Sequence, residues 1–182
     1  MPMTIQHPGI PGRSILAEDS PGFVLHRTYV ESYDPTLTTF GRQTQEPQQL
    51  MRVWNDAGRA LVVGEPLALT YDGDEEELYK VIVPAAIALP EEQWPAIAVY
   101  AAADQTWTWV CIGGAVDALV DGTTDVTKDD YLKFAAAGTA HLIKDGTTRT
   151  LDSVGIATLT YTTAAAILQK IILFSDAKID ID

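Results

Sequence analysis

Groups for catalysis, crosslinking and membrane insertion are scarce in this chain. A single cysteine, Cys111, excludes an internal disulfide, and its apolar setting in Trp109-Val110-Cys111-Ile112 marks it as a buried, inert thiol. No apolar run approaches the roughly 18–20 residues that a membrane span requires. The longest, around Ile171-Ile172-Leu173-Phe174, is strand-sized. The opening Met-Pro-Met-Thr-Ile-Gln-His has neither the basic nor the apolar region of a signal peptide, so synthesis and solubility in a cytosol are expected.

Imidazole bases are equally few: His7, His26 and His141. Triad chemistry needs a nucleophile, a base and an orienting acid close in space. No Gly-x-Ser-x-Gly elbow occurs, and Ser14, Ser20, Ser32, Ser153 and Ser175 lack that context. His7 and His26 fall in a polar N-terminal stretch, a poor place to preorganise a site, while His141 alternates between Ala140 and Leu142 as a strand residue does. Gly113-Gly114 is not followed by Lys and Ser/Thr, so a phosphate-cradling loop is absent. Asp72-Gly73-Asp74-Glu75-Glu76-Glu77 gathers five acids in six residues, yet without calcium-loop spacing; a solvated turn of mutually repelling charges is the reading. Glycoside hydrolysis would need paired carboxylates facing a cleft, and the acids here cluster in turns. The expectation is a chain that is not an enzyme and carries no metal or cofactor.

Positive charge is also thin. The net charge is −13, and residues 61–182 hold seven Lys/Arg against nineteen acids, whereas residues 1–60 hold five Arg against six acids. A body this acidic lacks the clustered cations that phosphate backbones require and is repelled by anionic membranes, so neither nucleic acid nor membrane is an expected partner. Apolar residues make up 47% of the chain, enough for a real core.

What is present divides in two near residue 60. Residues 1–60 read as an extended arm. Pro2, Pro8, Pro11, Pro21 and Pro35 recur too often for a helix or central strand, with one β-like stretch at Phe23 to Val30. A short helix is expected over residues 47–58, where Pro47 suits a first turn, Leu50, Val53, Trp54 and Ala57 share a helical face, and Gly58 is a stop. Residues 61–182 read as a body of nine or ten short strands at roughly 8–12-residue spacing, the pattern of a barrel or sandwich. Its strands are expected at 61–63, 67–71, 79–83, 96–100, 106–110, 115–120, 131–134, 140–144, 153–157 and 167–174, with residues 162–170 equally readable as helix. A Pro-bounded connection over 85–94 has room for a helical turn. Asp121-Gly122-Thr123-Thr124 recurs as Asp145-Gly146-Thr147-Thr148, which predicts two similar hairpins because Asp-Gly favours that turn.

Aromatic residues supply the candidate contacts. In residues 106–110, Trp107 and Trp109 fall on one strand face, with Thr106, Thr108 and Val110 on the other. Such a stripe is a core or subunit interface more often than a sugar-stacking platform. A Pro-rich arm cannot bury its own Phe23, Tyr29, Tyr33, Phe40 and Trp54, so these need a surface from elsewhere, reached by strand addition or wrapping.

Val63-Gly64-Glu65-Pro66-Leu67 and the run Asp121-Gly122-Thr123-Thr124-Asp125-Val126-Thr127-Lys128-Asp129-Asp130-Tyr131-Leu132 resemble the head decoration (cement) proteins of tailed bacteriophages. Lys144 to Thr150 and Val154 to Ala157 extend the resemblance, which covers about residues 61–175. Where that family has a Gly-Asp-x-Leu-like step, this chain reads Lys128-Asp129-Asp130-Tyr131-Leu132, without the glycine. The resemblance implies a small β-barrel or β-tulip, usually a homotrimer, on the outer face of an icosahedral capsid, with the major capsid protein as partner and no active site. Residue reading and resemblance together predict a mainly β virion protein whose arm and oligomeric body bridge capsid subunits. The candidate interface is Phe23, Tyr29, Tyr33, Phe40, Trp54, Trp107 and Trp109. The competing expectation is a phage tail or fibre module that reads a host glycan through Trp107 and Trp109.

Overall fold

A computed structural model describes residues 26–32, 44–70, 79–85, 89, 93–136 and 138–174. Ten strands and no helix occur among them: β1 (His26–Ser32), β2 (Thr44–Asn55), β3 (Pro66–Thr70), β4 (Lys80–Ile82), β5 (Gln93–Ala98), β6 (Trp107–Asp121), β7 (Tyr131–Phe134), β8 (Leu142–Gly146), β9 (Gly155–Ala157) and β10 (Ala166–Leu173). The protein is mainly β, as its turn spacing predicts.

The strands close two rings that share one wall. β2 pairs β4 in parallel, then β4, β3, β5 and β6 follow in antiparallel pairs, and β6 returns to β2 to close a five-stranded barrel. Beyond Gly114, β6 pairs β10, and β10, β9, β7 and β8 follow in turn. A parallel bridge between Val120 and Leu142 brings β8 back to β6. Closure removes the exposed edges that an open sheet of short strands would present.

Period-2 alternation assigns the cores. Met51, Val53, Leu61, Leu67, Leu69, Val81, Ala96, Ala98 and Val110 fill the first barrel. Val116, Ala118, Val120, Leu132, Phe134, Leu142, Ile171 and Leu173 fill the second, together with Leu50, Ile97 and Cys111, which face it from first-barrel strands. Each of these fully buried Leu, Ile, Val or Phe side chains contributes about 1.5–3 kcal/mol relative to exposure. Cys111 is buried as expected; its thiol donates to the Gly113 carbonyl at 3.2 Å, and burial pushes its pKa up to about 11.

Three expectations are corrected. Residues 47–58 form no helix: Thr44–Asn55 is a strand in the barrel wall. The 3–4 spacing of Leu50, Val53 and Trp54 competes with an alternation in which Met51, Val53 and Asn55 point inward, and pairing with β6 selects the latter. Pro47 is tolerated because it lies beyond Gln48, the last β2 position paired to β6. Second, the strands expected at 106–110 and 115–120 are one strand, β6, of 15 residues. Gly114 at φ 92°, and a register shift at Ile112 where β2 steps from Gln49 to Leu50, carry that strand from one barrel to the other without breaking it. Third, neither Asp-Gly-Thr-Thr segment makes a hairpin. Each ends a strand, β6 or β8, that does not pair with the strand following it. Gly122 is required for space rather than for a turn: a Cβ there would meet the Thr163 carbonyl oxygen at 2.7 Å and the Tyr161 ring at 2.8 Å.

Residues 162–170 hold the start of β10 rather than a helix. Most of the 85–94 connection, the acidic stretch 72–77 and all residues before His26 lie outside the described residues.

Candidate functional site

Antiparallel pairing of β2 with β6 sets Arg52 opposite Trp109 and Trp54 opposite Trp107. Because Met51, Val53, Thr108 and Val110 point into the barrel, alternation leaves Arg52, Trp54, Trp107 and Trp109 on its outer side. Trp54 and Trp107 meet edge to face, centroids 5.5 Å apart and planes 79° apart. The Arg52 guanidinium carbon lies 5.3 Å from the Trp107 ring centroid, within cation–π range. Trp107 nonetheless remains 41% exposed.

The strand ends that present this cluster are pinned by polar contacts. The Trp54 indole N–H donates to Gln105 Oε1 at 3.4 Å, and Gln105 Nε2 donates to Asp56 Oδ1 at 3.1 Å. Lys80 Nζ pairs with Asp56 Oδ2 at 3.0 Å. Gln105 takes φ 56°, with its own N–H donating to the Asn55 carbonyl at 3.0 Å. Buried Asn55 is saturated: its amide donates to the Ala103 and Arg59 carbonyls, and its side-chain oxygen accepts from the Ala57 N–H. Fixed aromatic and Arg groups of this kind lose little conformational freedom when a partner covers them.

Of the aromatic candidates from the sequence, the structure brings Trp54 and Trp107 into direct contact and sets Trp109 beside them. Trp109 is half-buried and packs against the second core, so it supports the face more than it offers surface. Phe23, Tyr33 and Phe40 lie outside the described residues, as does the side chain of Tyr29; the Tyr29 backbone pairs with Pro47. Arg52 and Gln105 carry no signal while residues 47–58 are read as helix. Once β2 is a strand, the alternation Arg52-x-Trp54 against Trp107-x-Trp109 identifies the cluster.

Three carboxylates elsewhere are engaged in the fold. Asp130, almost fully buried, accepts from Lys144 Nζ at 2.7 Å, from the Thr127 N–H at 2.6 Å and from Thr127 Oγ1 at 2.7 Å. Burial raises its pKa, but the Lys144 ammonium and the Thr127 donors outweigh that and hold it below the ordinary value. Asp145 is likewise lowered overall: burial opposes, while Ser153, Thr150 and Lys133 prevail, Lys133 Nζ standing at 2.9 Å. His141 Nε2 stands 3.5 Å from Asp121 Oδ2, and Asp121 is held low chiefly by the Thr123 hydroxyl and N–H. Among the described residues no group of three or more His, Cys, Asp or Glu is placed to hold a metal ion.

No protein-family model matches this chain, and no curated protein matches it. Among solved structures it is similar to the N base of the head fiber gp8.5 of bacteriophage phi29, at 13% identity and a TM-score of 0.46, covering 70% of this chain and 95% of that one.

Proposed function

We propose that this chain is a structural protein of a tailed-phage head, bound to the outside of the icosahedral capsid and stabilising it by bridging neighbouring capsid subunits. The observation that carries the reading is the Arg52–Trp54–Trp107 cluster. Trp and Arg in a fixed, partly exposed group are the side chains that dominate protein–protein contacts. The resemblance of residues 61–175 to head decoration proteins, and a net charge of −13 that suits an outer surface better than a DNA-facing one, point the same way. Many such contacts repeated around a symmetric shell resist rupture through multivalency rather than through one strong site. A sugar ring stacks best on an open, flat indole face. Here one Trp107 face carries Arg52 and the ring packs at near right angles against Trp54, which favours a protein partner over a glycan.

The test is co-sedimentation of the full chain with expanded and unexpanded shells of the cognate capsid protein. Saturable binding at a fixed ratio per capsomer is expected, with loss of binding in a folded Trp54→Ala/Trp107→Ala variant. Absence of binding to both shells overturns the proposal. Glycan binding that disappears in the same variant would replace it with the tail-module reading.

A further inference from the structure

The outer face of the second barrel has a different character from the Trp cluster. Ile171 and Leu173 of β10 are buried in the core, so Leu168, Lys170 and Ile172 stand on the outside. Leu168 is 48% and Ile172 45% exposed, large values for branched aliphatics inside a regular strand. Leu168 lies opposite Leu119 of β6, and Ile172 lies between Ala115 of β6 and Ile156 of β9. The turn before β3 extends the surface. The Leu119 N–H donates to the Gly64 carbonyl at 2.7 Å, and Leu168 Cδ2 sits directly over the Gly64 Cα, where a Cβ would approach it to 2.2 Å. Val63, next to that glycine, is 42% exposed. The result is an aliphatic strip running from the 62–64 turn across β6 and β10.

We propose that this strip is where a second copy of the same chain docks. The argument for that occupant is charge. At −13, two copies repel one another on any face that presents acids, and a cationic partner would be drawn to those acidic faces instead. On the strip, the outward positions 115–119, 156 and 168–172 hold just two charges, Asp117 and Lys170, already paired at 3.2 Å. The strip is therefore electrically neutral on an otherwise acidic body, and its contiguous apolar surface is costly to leave in water. Its charges are also self-complementary, since Lys170 of one copy and Asp117 of the next attract across the contact. The proposal does not depend on capsid binding, which uses the other barrel.

An apolar contact between like-charged bodies has a distinctive salt response: screening the repulsion strengthens it, whereas a contact made by surface ion pairs weakens. The experiment is sedimentation-velocity and light-scattering mass of the full chain from low to high NaCl. A mass that is a multiple of 19.7 kDa is expected, with association tightening as salt rises. Leu168→Glu and Ile172→Ser are each expected to weaken association by about tenfold or more while circular dichroism stays unchanged. Leu151→Glu, at an exposed leucine off the strip, leaves it intact. A chain that stays monomeric to concentrations on the order of 100 μM at high salt overturns the proposal. An oligomer that Ile172→Ser and Leu168→Glu both leave unchanged overturns it too, because the copies then meet elsewhere. Shell co-sedimentation of the same two variants reports on the capsid-binding face separately.

Discussion

Glu65 is fully buried, and the Arg59 guanidinium grips one of its carboxylate oxygens while the Val62 N–H donates to the other at 3.0 Å. Around this pair the chain joins the two barrels. The Gly64 N–H donates to the Ala98 carbonyl and the Ala98 N–H to the Glu65 carbonyl, tying the turn to β5. The Gly64 carbonyl accepts from Leu119, in the second-barrel half of β6. Removing Arg59 strands a buried carboxylate. A fully buried pair broken in this way costs about 3–5 kcal/mol, but the Arg59 side chain is 40% exposed, so Arg59→Met is expected to cost roughly 1–3 kcal/mol. Urea denaturation measures it. Glu65→Gln, which keeps an acceptor for Val62, should cost less; the reverse order would show that the ion pair does not hold the joint.

Gly64 answers two demands at once, a φ of 80° and the absence of a Cβ beneath Leu168. Gly64→Ala is therefore expected to destabilise by roughly 1–3 kcal/mol from backbone strain, with the clash in addition. Leu168→Ala in the same chain removes the clash and leaves the strain, so the double variant should recover part of the loss. Purely additive effects in that cycle would mean that the two residues do not meet.

Much of this architecture is legible in the sequence, and the failures share a cause. Tyr131–Phe134 and the second half of residues 162–174 read correctly as strands because their alternation or β-branched content is local. The Val63-Gly64-Glu65-Pro66 turn is visible as a motif, but the burial of Glu65 is not, since its partner Arg59 and the β5 contacts come from tertiary closure. The 47–58 segment reads as helix because its apolar spacing satisfies both periods, and the choice belongs to β6, more than fifty residues away. The same error hides Arg52, whose meaning depends on lying opposite Trp109 and reaching diagonally over Trp107. The Asp-Gly steps at 121 and 145 mark where β6 and β8 end, but nothing local says which strand comes next in the sheet.

Asp130 and Asp145 should govern the acid limb of stability. Both are held below the ordinary 3.8 by ammonium and hydroxyl partners that exceed the opposing effect of burial. A carboxyl whose folded pKa is depressed contributes stability that is complete above its unfolded value and is lost as pH falls through the folded one. The native chain is thus expected to hold its stability down to about pH 4 and to lose it steeply below that. Asp130→Asn and Asp145→Asn should each be less stable than the native chain at pH 7, with the gap narrowing at pH 3. Urea midpoints at the two pH values decide it, and a gap that stays constant would remove these carboxylates as the cause.

Cys111 should control the opposite limb. Burial raises its pKa from 9.0 to about 11, outweighing a lowering influence of the backbone at Gly113 and Gln49. For a group raised on folding, the contribution is fully present below the unfolded value and disappears as pH rises through the folded one, so the loss falls between about pH 9 and 11. Lysines and tyrosines titrate in the same range, so the discriminating quantity is the difference between the native chain and Cys111→Ala, which should diminish across that interval. The native thiol is expected to resist a disulfide reagent at pH 8 and to react once per chain in denaturant, because attack requires an exposed thiolate. Rapid labelling of the folded protein would mean that the Leu50–Ile97–Cys111 layer opens to solvent. The shared wall of the two barrels would then be its weakest part rather than its best-packed one.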